Sequence, residues 1–435
     1  MDAMSGFLGY LLSPLSMVNL QGMLHVSGEL FTSANLFFWF LVLVLVRFML
    51  PDVVLWLTTL YYPKALEVRP GPGLPDEPLV SVVIAGRNVG DDIARTIRSV
   101  LECGYHRLEV IFVDDFSTDD SVSQARVLEA TGRVRVFQAD HHNGKPSSLN
   151  IGLTMARGEF VFILDADCEL QPGIIEHLLA PFGDERVGAV AANLRVRNAT
   201  QNMVTRFQEC EYALNVSVSR SWHARLGLLP ILPGAGSMFR AATLRQLKGY
   251  DTGLGDDTDM TLRLRKGGWK LRFSLEAIVW TDVPDNYFWL MRQRARWSRN
   301  MIKIRLHKQG DLIRAWRFGM LNALLFADNL LFRVLTPILA FSGLIYYGLT
   351  APLESPVLLT SMYWATVLFL LVKMLIAHDI AHTPRLKMLW LVPLYPFYRL
   401  PIHTIELLAI LRELLRIRLW HPYVPKRIWA RTPHW

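Results

Sequence analysis

Apolar positions gather at the two ends of this chain, while the middle alternates short apolar runs with amphipathic ones. From Asn35 to Leu60, Phe, Leu, Val and Trp dominate and only Arg47 and Asp52 are charged. Such a run is long enough for a spanning helix of roughly 20 residues. No Lys or Arg precedes it and no small-residue cleavage site follows, so a cleaved signal peptide is the poorer reading. Met4 to Met23 is apolar but interrupted by Pro14 and reads as an interfacial helix, with a second crossing as the alternative. Toward the C-terminus, Leu331–Leu349 and Val357–Ala377 read as spans, and Leu389–Leu411 as a third, broken by Pro393, Pro396, Arg399 and Pro401. A broken segment survives at membrane depth only against protein or a cavity, so Arg399, His403 and Glu406 are expected to point inward.

Between these ends, Leu79 to about Arg305 has the pattern of a globular α/β domain. Leu79–Ala85, Leu108–Val113, Val134–Gln138 and Glu159–Leu164 predict buried strands. Asp91–Leu101, Val122–Ala130 and Pro146–Ala156 predict the helices that separate them. The alternation predicts a parallel sheet covered on both faces, with ligands at the C-terminal strand ends. The chain divides into N-terminal interfacial and transmembrane helices (1–68), the Pro- and Gly-rich linker Arg69–Glu77, the α/β domain (79–305), amphipathic interface helices (306–330), C-terminal transmembrane helices (331–415) and a basic cytoplasmic tail (416–435).

Composition narrows the class further. Hydrophobic residues are 51% of the 435 and charged ones 19%, which is apolar for a wholly soluble protein. The net charge of +8 invites a nucleic-acid reading, but Arg292 to Arg317 alone holds nine Lys or Arg against Asp311, which is the whole excess. Basic segments beside apolar spans follow the positive-inside pattern, which places the domain and the tail in the cytoplasm and argues against nucleic acid. With both on one side, the crossings between them must be even, so one of the three C-terminal segments is expected to be interfacial or re-entrant. Cys103, Cys168 and Cys210 have no metal-ligand spacing and imply no disulfide framework.

Five short motifs carry candidate chemistry, each with a plainer alternative. Asp114 and Asp115 end a strand, where carboxylates accept hydrogen bonds from a base or ribose, or cap a turn. Asp165 and Asp167, at i and i+2 after an apolar strand, can share a hard divalent cation that also binds phosphate; the alternative is a polar loop. Lys145 opens a helix, where the dipole disfavours a cation unless an anion binds there too. Gly255-Asp256-Asp257-Thr258-Asp259 opens another helix with more acid than capping needs, and crowding there raises a carboxylate pKa as a general base requires. Gln293-Arg294-Ala295-Arg296-Trp297 offers arginines for a leaving diphosphate and an aromatic face for a sugar, or else a basic helix lying on a membrane.

Taken in order, these motifs resemble those of the family 2 inverting glycosyltransferases of the GT-A fold. The likeness is greatest to the processive membrane synthases of cellulose, chitin, hyaluronan and poly-N-acetylglucosamine, and it covers Leu79 to Arg305. It implies an α/β GT-A (Rossmann-like) cytoplasmic domain with α-helical transmembrane segments at both ends, a UDP-sugar donor, Mg²⁺ or Mn²⁺ as cofactor, and a glycan acceptor. Asp114 and Asp115 would then contact uridine, Lys145 the diphosphate, Asp165 the ribose or the metal, and Asp167 the metal. Asp257 would be the base, while Gln293, Arg294, Arg296 and Trp297 would hold the diphosphate and the acceptor end. Gly234–Met238, with Gly236 at its centre, resembles the loop that shapes the acceptor pocket. Two positions depart from the family pattern. Asn88-Val89 replaces the usual Asn-Glu, and Asp256 stands where Glu is usual, which leaves Asp256 beside Asp257 as a catalytic candidate.

The resemblance implies a single displacement that turns an α-linked donor into a β-linked product. UDP-N-acetylglucosamine and UDP-glucose are the favoured donors, and export of a growing polysaccharide across a bacterial inner membrane is the expected setting. Membrane lipids are expected partners, and an accessory export subunit or a second copy is an open one. The alternative enzyme adds one sugar to a lipid or glycolipid, and a different class altogether would be a nucleotide-binding transporter or scaffold.

Overall fold

The computed structural model describes residues 46–61 apart from 48, 77–251, 256–350, 355–381 and 386–415. The linker 69–76, the tail 416–435, Gly255 and most of the two N-terminal apolar runs lie outside these residues. Of the expected N-terminal span, Leu50–Tyr61 (α1) is helical.

Four strands with apolar residues on both faces form the centre of the domain. Val80–Gly86 (β1), Leu108–Asp114 (β2), Val134–Gln138 (β3) and Phe160–Asp165 (β4) pair in parallel in the order β3-β2-β1-β4. The helices Gly90–Leu101 (α2), Ser121–Val127 (α3) and Lys145–Met155 (α4) connect them. Ile84, Phe112, Phe162 and Ile163 are wholly buried between the layers, each contributing roughly 1.5–3 kcal/mol on burial.

The simple alternation stops at β4. Cys168–Leu170 (β5) follows after two residues, then Ile174–Leu179 (α5) and Val187–Val196 (β6). The chain next makes a helical excursion through Met203–Tyr212 (α6), a π-helical turn Ala213–Val218 and Ser219–Arg225 (α7). It re-enters the sheet as Ser237–Arg240 (β7) from the end where β4 finishes, so β7 runs antiparallel to β4. After Ala241–Gln246 (α8) and Asp256–Lys266 (α9), the strand Lys270–Thr281 (β8) completes the order β3-β2-β1-β4-β7-β6-β8-β5. The sheet is therefore mixed rather than wholly parallel, because the excursion replaces the strand–helix–strand crossover that imposes parallel pairing.

Beyond the sheet, Tyr287–Lys303 (α10) leads through a π-helical turn Ile304–Lys308 to the short helix Ala315–Phe318 (α11). Two long helices follow, Met320–Thr350 (α12) and Ser355–Ala381 (α13). Among the described residues these two are long and apolar enough to cross a membrane, over Met320–Ile338 and Tyr363–Ile380. The segment 306–330, read as amphipathic interface helices, holds α11 and the start of α12, which is helical from Met320. The third apolar segment is the 3-10 stretch Leu386–Leu394 and the helix Tyr395–Leu414 (α14), which packs along α10.

A second core joins these helices to the domain, with Leu55, Phe207, Leu290, Met374, Tyr395 and Ile402 buried together. Polar pairs pin α1 to it. Asp52 meets Lys373 at 2.8 Å, Trp56 Nε1 donates to Asp379 at 2.6 Å, and Arg47 pairs with Asp328.

Candidate active site

The parallel strands β2 and β4 deliver four acidic residues, Asp114, Asp115, Asp165 and Asp167, to one edge. Asp114 closes β2 and is fully buried, and its carboxylate accepts from Ser117 N at 3.0 Å and from the Ser117 hydroxyl. It thus shapes its own turn, as the plainer reading of that motif expected. Asp115 accepts from the backbone N–H groups of Asn143 (2.6 Å) and Gly144 (2.9 Å), and His142 Nδ1 lies 2.6 Å away. Asp115 therefore holds the turn that presents Lys145. Gly144 supplies the left-handed backbone at φ 87° that this turn requires.

Lys145, at the start of α4, pairs with Asp165 at the end of β4. The Asp165–Asp167 turn is held by Thr96 Oγ1, which donates to Ala166 O at 2.7 Å. Burial and the neighbouring Asp165 charge push the Asp167 carboxyl up to about 6. Two crowded carboxylates on one turn are a site that a divalent cation would relieve. Among the described residues no group of three or more His, Cys, Asp or Glu is placed to hold a metal. The pair fits a cation that completes its shell with substrate phosphate and water rather than one caged by protein.

The reversed strand β7 brings the other half of the site alongside. Gly236 N donates to Ile163 O at 2.9 Å, and Ile163 pairs with Ser237, so the Gly234–Gly236 loop enters beside the exit of Asp165. Gly236 sits at φ 83°, where a side chain is strained, and a Cβ there would meet Val279, Ala192 and Leu194 at 3.1–3.3 Å. Asp257, in the first turn of α9, lies directly on this loop, and a Cβ on residue 234 would be 2.5 Å from its Oδ1. Thr261 ties loop and helix together, accepting from Leu232 N at 2.9 Å and donating to Asp257 O at 2.6 Å. The backbone of Asp256 is helical and its side chain is outside the described residues.

Sequence reasoning missed the charges behind this loop. Arg220 on α7 is held down to about 10 by burial, and the charges of Tyr212 and Asp257 act on it. Glu211, near the end of α6, is buried, and the charges of Arg294 and Arg399 outweigh its desolvation and lower its pKa. Neither residue belongs to a motif. The one local hint is the π-helical turn between them, a feature often found at functional sites.

The α10 signature divides. Arg294 is 2% exposed, donates to Glu211 Oε2 at 2.9 Å and lies 4.3 Å from the Trp297 ring centroid. Its guanidinium is engaged by Glu211, a partner that a diphosphate at Arg294 would have to share. Gln293 and Arg296 are half-buried and Trp297 is exposed. Arg399 on α14 meets the other oxygen of Glu211 at 3.0 Å, and Tyr398 Oη donates to Glu211 at 3.2 Å. Glu406 gathers His403 at 3.2 Å and Arg399 and Arg333 at 3.8 Å each. The polar residues of α14 do point inward, onto the domain and onto each other.

The family model described as glycosyltransferase like family 2 matches residues 75–300. A Bacillus subtilis protein named probable glycosyltransferase YdaM is 31% identical over 235 residues, which is 51% of this chain and 55% of that protein. The Staphylococcus aureus poly-β-1,6-N-acetyl-D-glucosamine synthase is 24% identical over 243 residues, 55% of this chain and 59% of the synthase. The match thus spans little more than half the length of these curated relatives. Among solved structures, the mannosyltransferase PcManGT from Pyrobaculum calidifontis, in complex with GDP-Man and Mn²⁺, aligns with a TM-score of 0.54 and 20% identity. That alignment covers 87% of this chain and 98% of that one, and establishes likeness of fold.

Proposed function

Because this chain belongs to the family 2 glycosyltransferases, whose model covers more than half of it, we propose that it transfers sugar from a UDP-sugar to a growing β-linked polysaccharide with inversion. UDP-N-acetylglucosamine is the favoured donor, since a relative is named for a polymer of that sugar, with UDP-glucose next. One observation carries the reading. The antiparallel β4–β7 pair sets the Gly234–Gly236 loop beside Asp165, and Asp257 lies on that loop.

The residues divide the work as follows. Asp257 accepts the proton of the acceptor hydroxyl as its oxygen attacks the anomeric carbon from the face opposite UDP. Lys145 leaves Asp165 for the diphosphate, and Arg296 approaches it from α10. Asp165 and Asp167 would hold Mg²⁺ or Mn²⁺, which when bound supplies charge neutralisation for the leaving UDP. Asp115 positions Lys145, and Trp297 offers a face to the acceptor sugar. With the leaving group stabilised as an anion, no protein acid is needed.

We place the domain on the cytoplasmic face of a bacterial inner membrane, anchored by α12 and α13. Two crossings keep the domain and the basic tail on one side, with α14 as the interfacial segment. The second reading, transfer of one sugar to a lipid or glycolipid, is favoured by Arg399, His403 and Glu406, which pair with protein rather than line a channel. Incubating the purified full chain with a panel of UDP-sugars and Mg²⁺ or Mn²⁺, then sizing the product, tests the proposal. A long polymer supports the synthase, a single-sugar adduct on lipid moves the assignment to the second reading, and the absence of metal-dependent UDP release rejects both.

A further inference from the structure

Behind the Gly234–Gly236 loop lie two buried arginines that no carboxylate meets among the described residues. Arg265, at the end of α9, is 1% exposed, and Arg305, in the π-helical turn after α10, is 3% exposed. Arg265 donates through Nε to Asn322 Oδ1 at 2.8 Å and through Nη2 to Asn322 O at 3.1 Å. Arg305 donates through Nη2 to Pro230 O at 3.0 Å, and its Cζ lies 5.7 Å from the Phe326 ring centroid. Asn322 and Phe326 are four residues apart on α12, about 6 Å along its axis and on one face. Both guanidiniums therefore abut the same stretch of one helix. Arg265 Nη1 and Arg305 Nε and Nη1 are buried and have no acceptor among the described residues.

The neighbouring acids are already engaged. Asp259 serves Lys308, Arg263 and Gln309, Asp311 serves Lys266, and Asp328 serves Arg47. Burial lowers Arg265 to about 10, and burial together with the Arg265 and Arg333 charges lowers Arg305 to about 9. Two like charges out of water, with nothing negative between them, are disfavoured unless an anion joins them. Guanidinium pairs suit tetrahedral phosphate oxygens, which accept several N–H donors at once.

We propose that Arg265 and Arg305 form a binding site for a phosphate group, where the catalytic domain meets the start of α12. The cover is thin. Asn322 and Phe326 lie over the guanidiniums, while Leu321 and Leu324 beside them are exposed, as are Trp316 and Met320. An exposed aromatic and apolar rim at the start of a spanning helix is where phospholipid headgroups lie. The phosphate is therefore supplied either by a lipid phosphodiester or by free phosphate. The lipid source rests on reading α12 as a membrane helix, and neither source depends on glycosyl transfer.

Thermal unfolding of the full chain tests this without any activity readout. The probes are inorganic phosphate against chloride at matched ionic strength in a phosphate-free detergent, and nanodiscs of galactosyl diacylglycerol, which carries no phosphate, against the same nanodiscs mixed with phosphatidylglycerol. A midpoint rise of about 2–4 °C is expected in at least one pair. A rise only in the nanodisc pair assigns the lipid headgroup, and a rise with inorganic phosphate assigns free phosphate. Arg265→Met/Arg305→Met should lose the rise and, without the anion, unfold at or above the wild-type temperature, because replacing an unpaired buried charge with an apolar side chain is stabilising. The exposed control Arg186→Met should keep the rise. Phosphate bound at Lys145 instead would leave the rise intact in the double variant, which overturns the proposal. No rise in the wild type overturns it too, whether or not the variant folds.

Discussion

Asp257 and Gly234 illustrate how little space the chemistry leaves. Gly234→Ala would place a methyl group 2.5 Å from Asp257 Oδ1, so the carboxylate must move. A displacement of about 1 Å at a reacting group lowers turnover by about 10²-fold, and UDP affinity should be unchanged in the same preparation by calorimetry. Asp167 has the opposite balance between function and stability. Its pKa lies above the ordinary 3.8 because burial and Asp165 disfavour its charge, so a neutral amide removes a penalty present at neutral pH. Asp167→Asn should abolish metal-stimulated UDP release, a loss of at least about 10³-fold. The metal-free variant should nevertheless be no less stable than wild type, by up to about 1–2 kcal/mol in its favour, as read from its denaturation midpoint. These carboxylates were legible in the sequence because each sits in a short motif at a strand end or a helix start. For Asp114 the sequence leaves two readings open, and the fold shows the turn that its carboxylate closes with Ser117.

At the scale of elements, Glu211 joins three helices. It bridges Arg294 of α10 and Arg399 of α14 from its place on α6. Glu211→Gln leaves the buried Arg294 guanidinium uncompensated, while Arg399 keeps only Glu406 at 3.8 Å, and should cost about 3–5 kcal/mol, measured by denaturant unfolding. The sign with pH follows from the lowered pKa. The carboxylate's contribution is complete above its unfolded value of 4.5 and is lost as pH falls through the folded value below it. The deficit of the variant should thus be full at neutral pH and narrow in acid. The sequence could not disclose this node, because Arg294 and Glu211 are separated by 83 positions and neither periodicity nor motif links them. The reversal of β7 was hidden for a similar reason, since pairing partners were legible only where strand and helix alternate. The first four strands, by contrast, were placed to within a residue or so by their apolar runs.

For the whole molecule, the apolar runs identified α12 and α13 but shifted the first. The sequence reading began it at Leu331, whereas the apolar window that fits a crossing begins at Met320. Asn322 and Asp328 make the stretch before Leu331 look polar, and both meet protein partners. We propose that α14, which packs along α10, is the interfacial one of the three C-terminal segments. Catalytic domain and apolar helices share one buried core, so the position of α14 bears on the helix that carries Arg296 and Trp297.

The central claim is that Asp257 removes the acceptor proton opposite the Asp165–Asp167 turn. The most direct measurement is UDP release from UDP-N-acetylglucosamine by wild type and Asp257→Asn, alongside equilibrium UDP binding to each. The account predicts a fall in release of about 10²–10⁴-fold with UDP affinity retained. Release at the wild-type rate from Asp257→Asn would contradict it and pass the role of base to another residue, with Asp256 first in line.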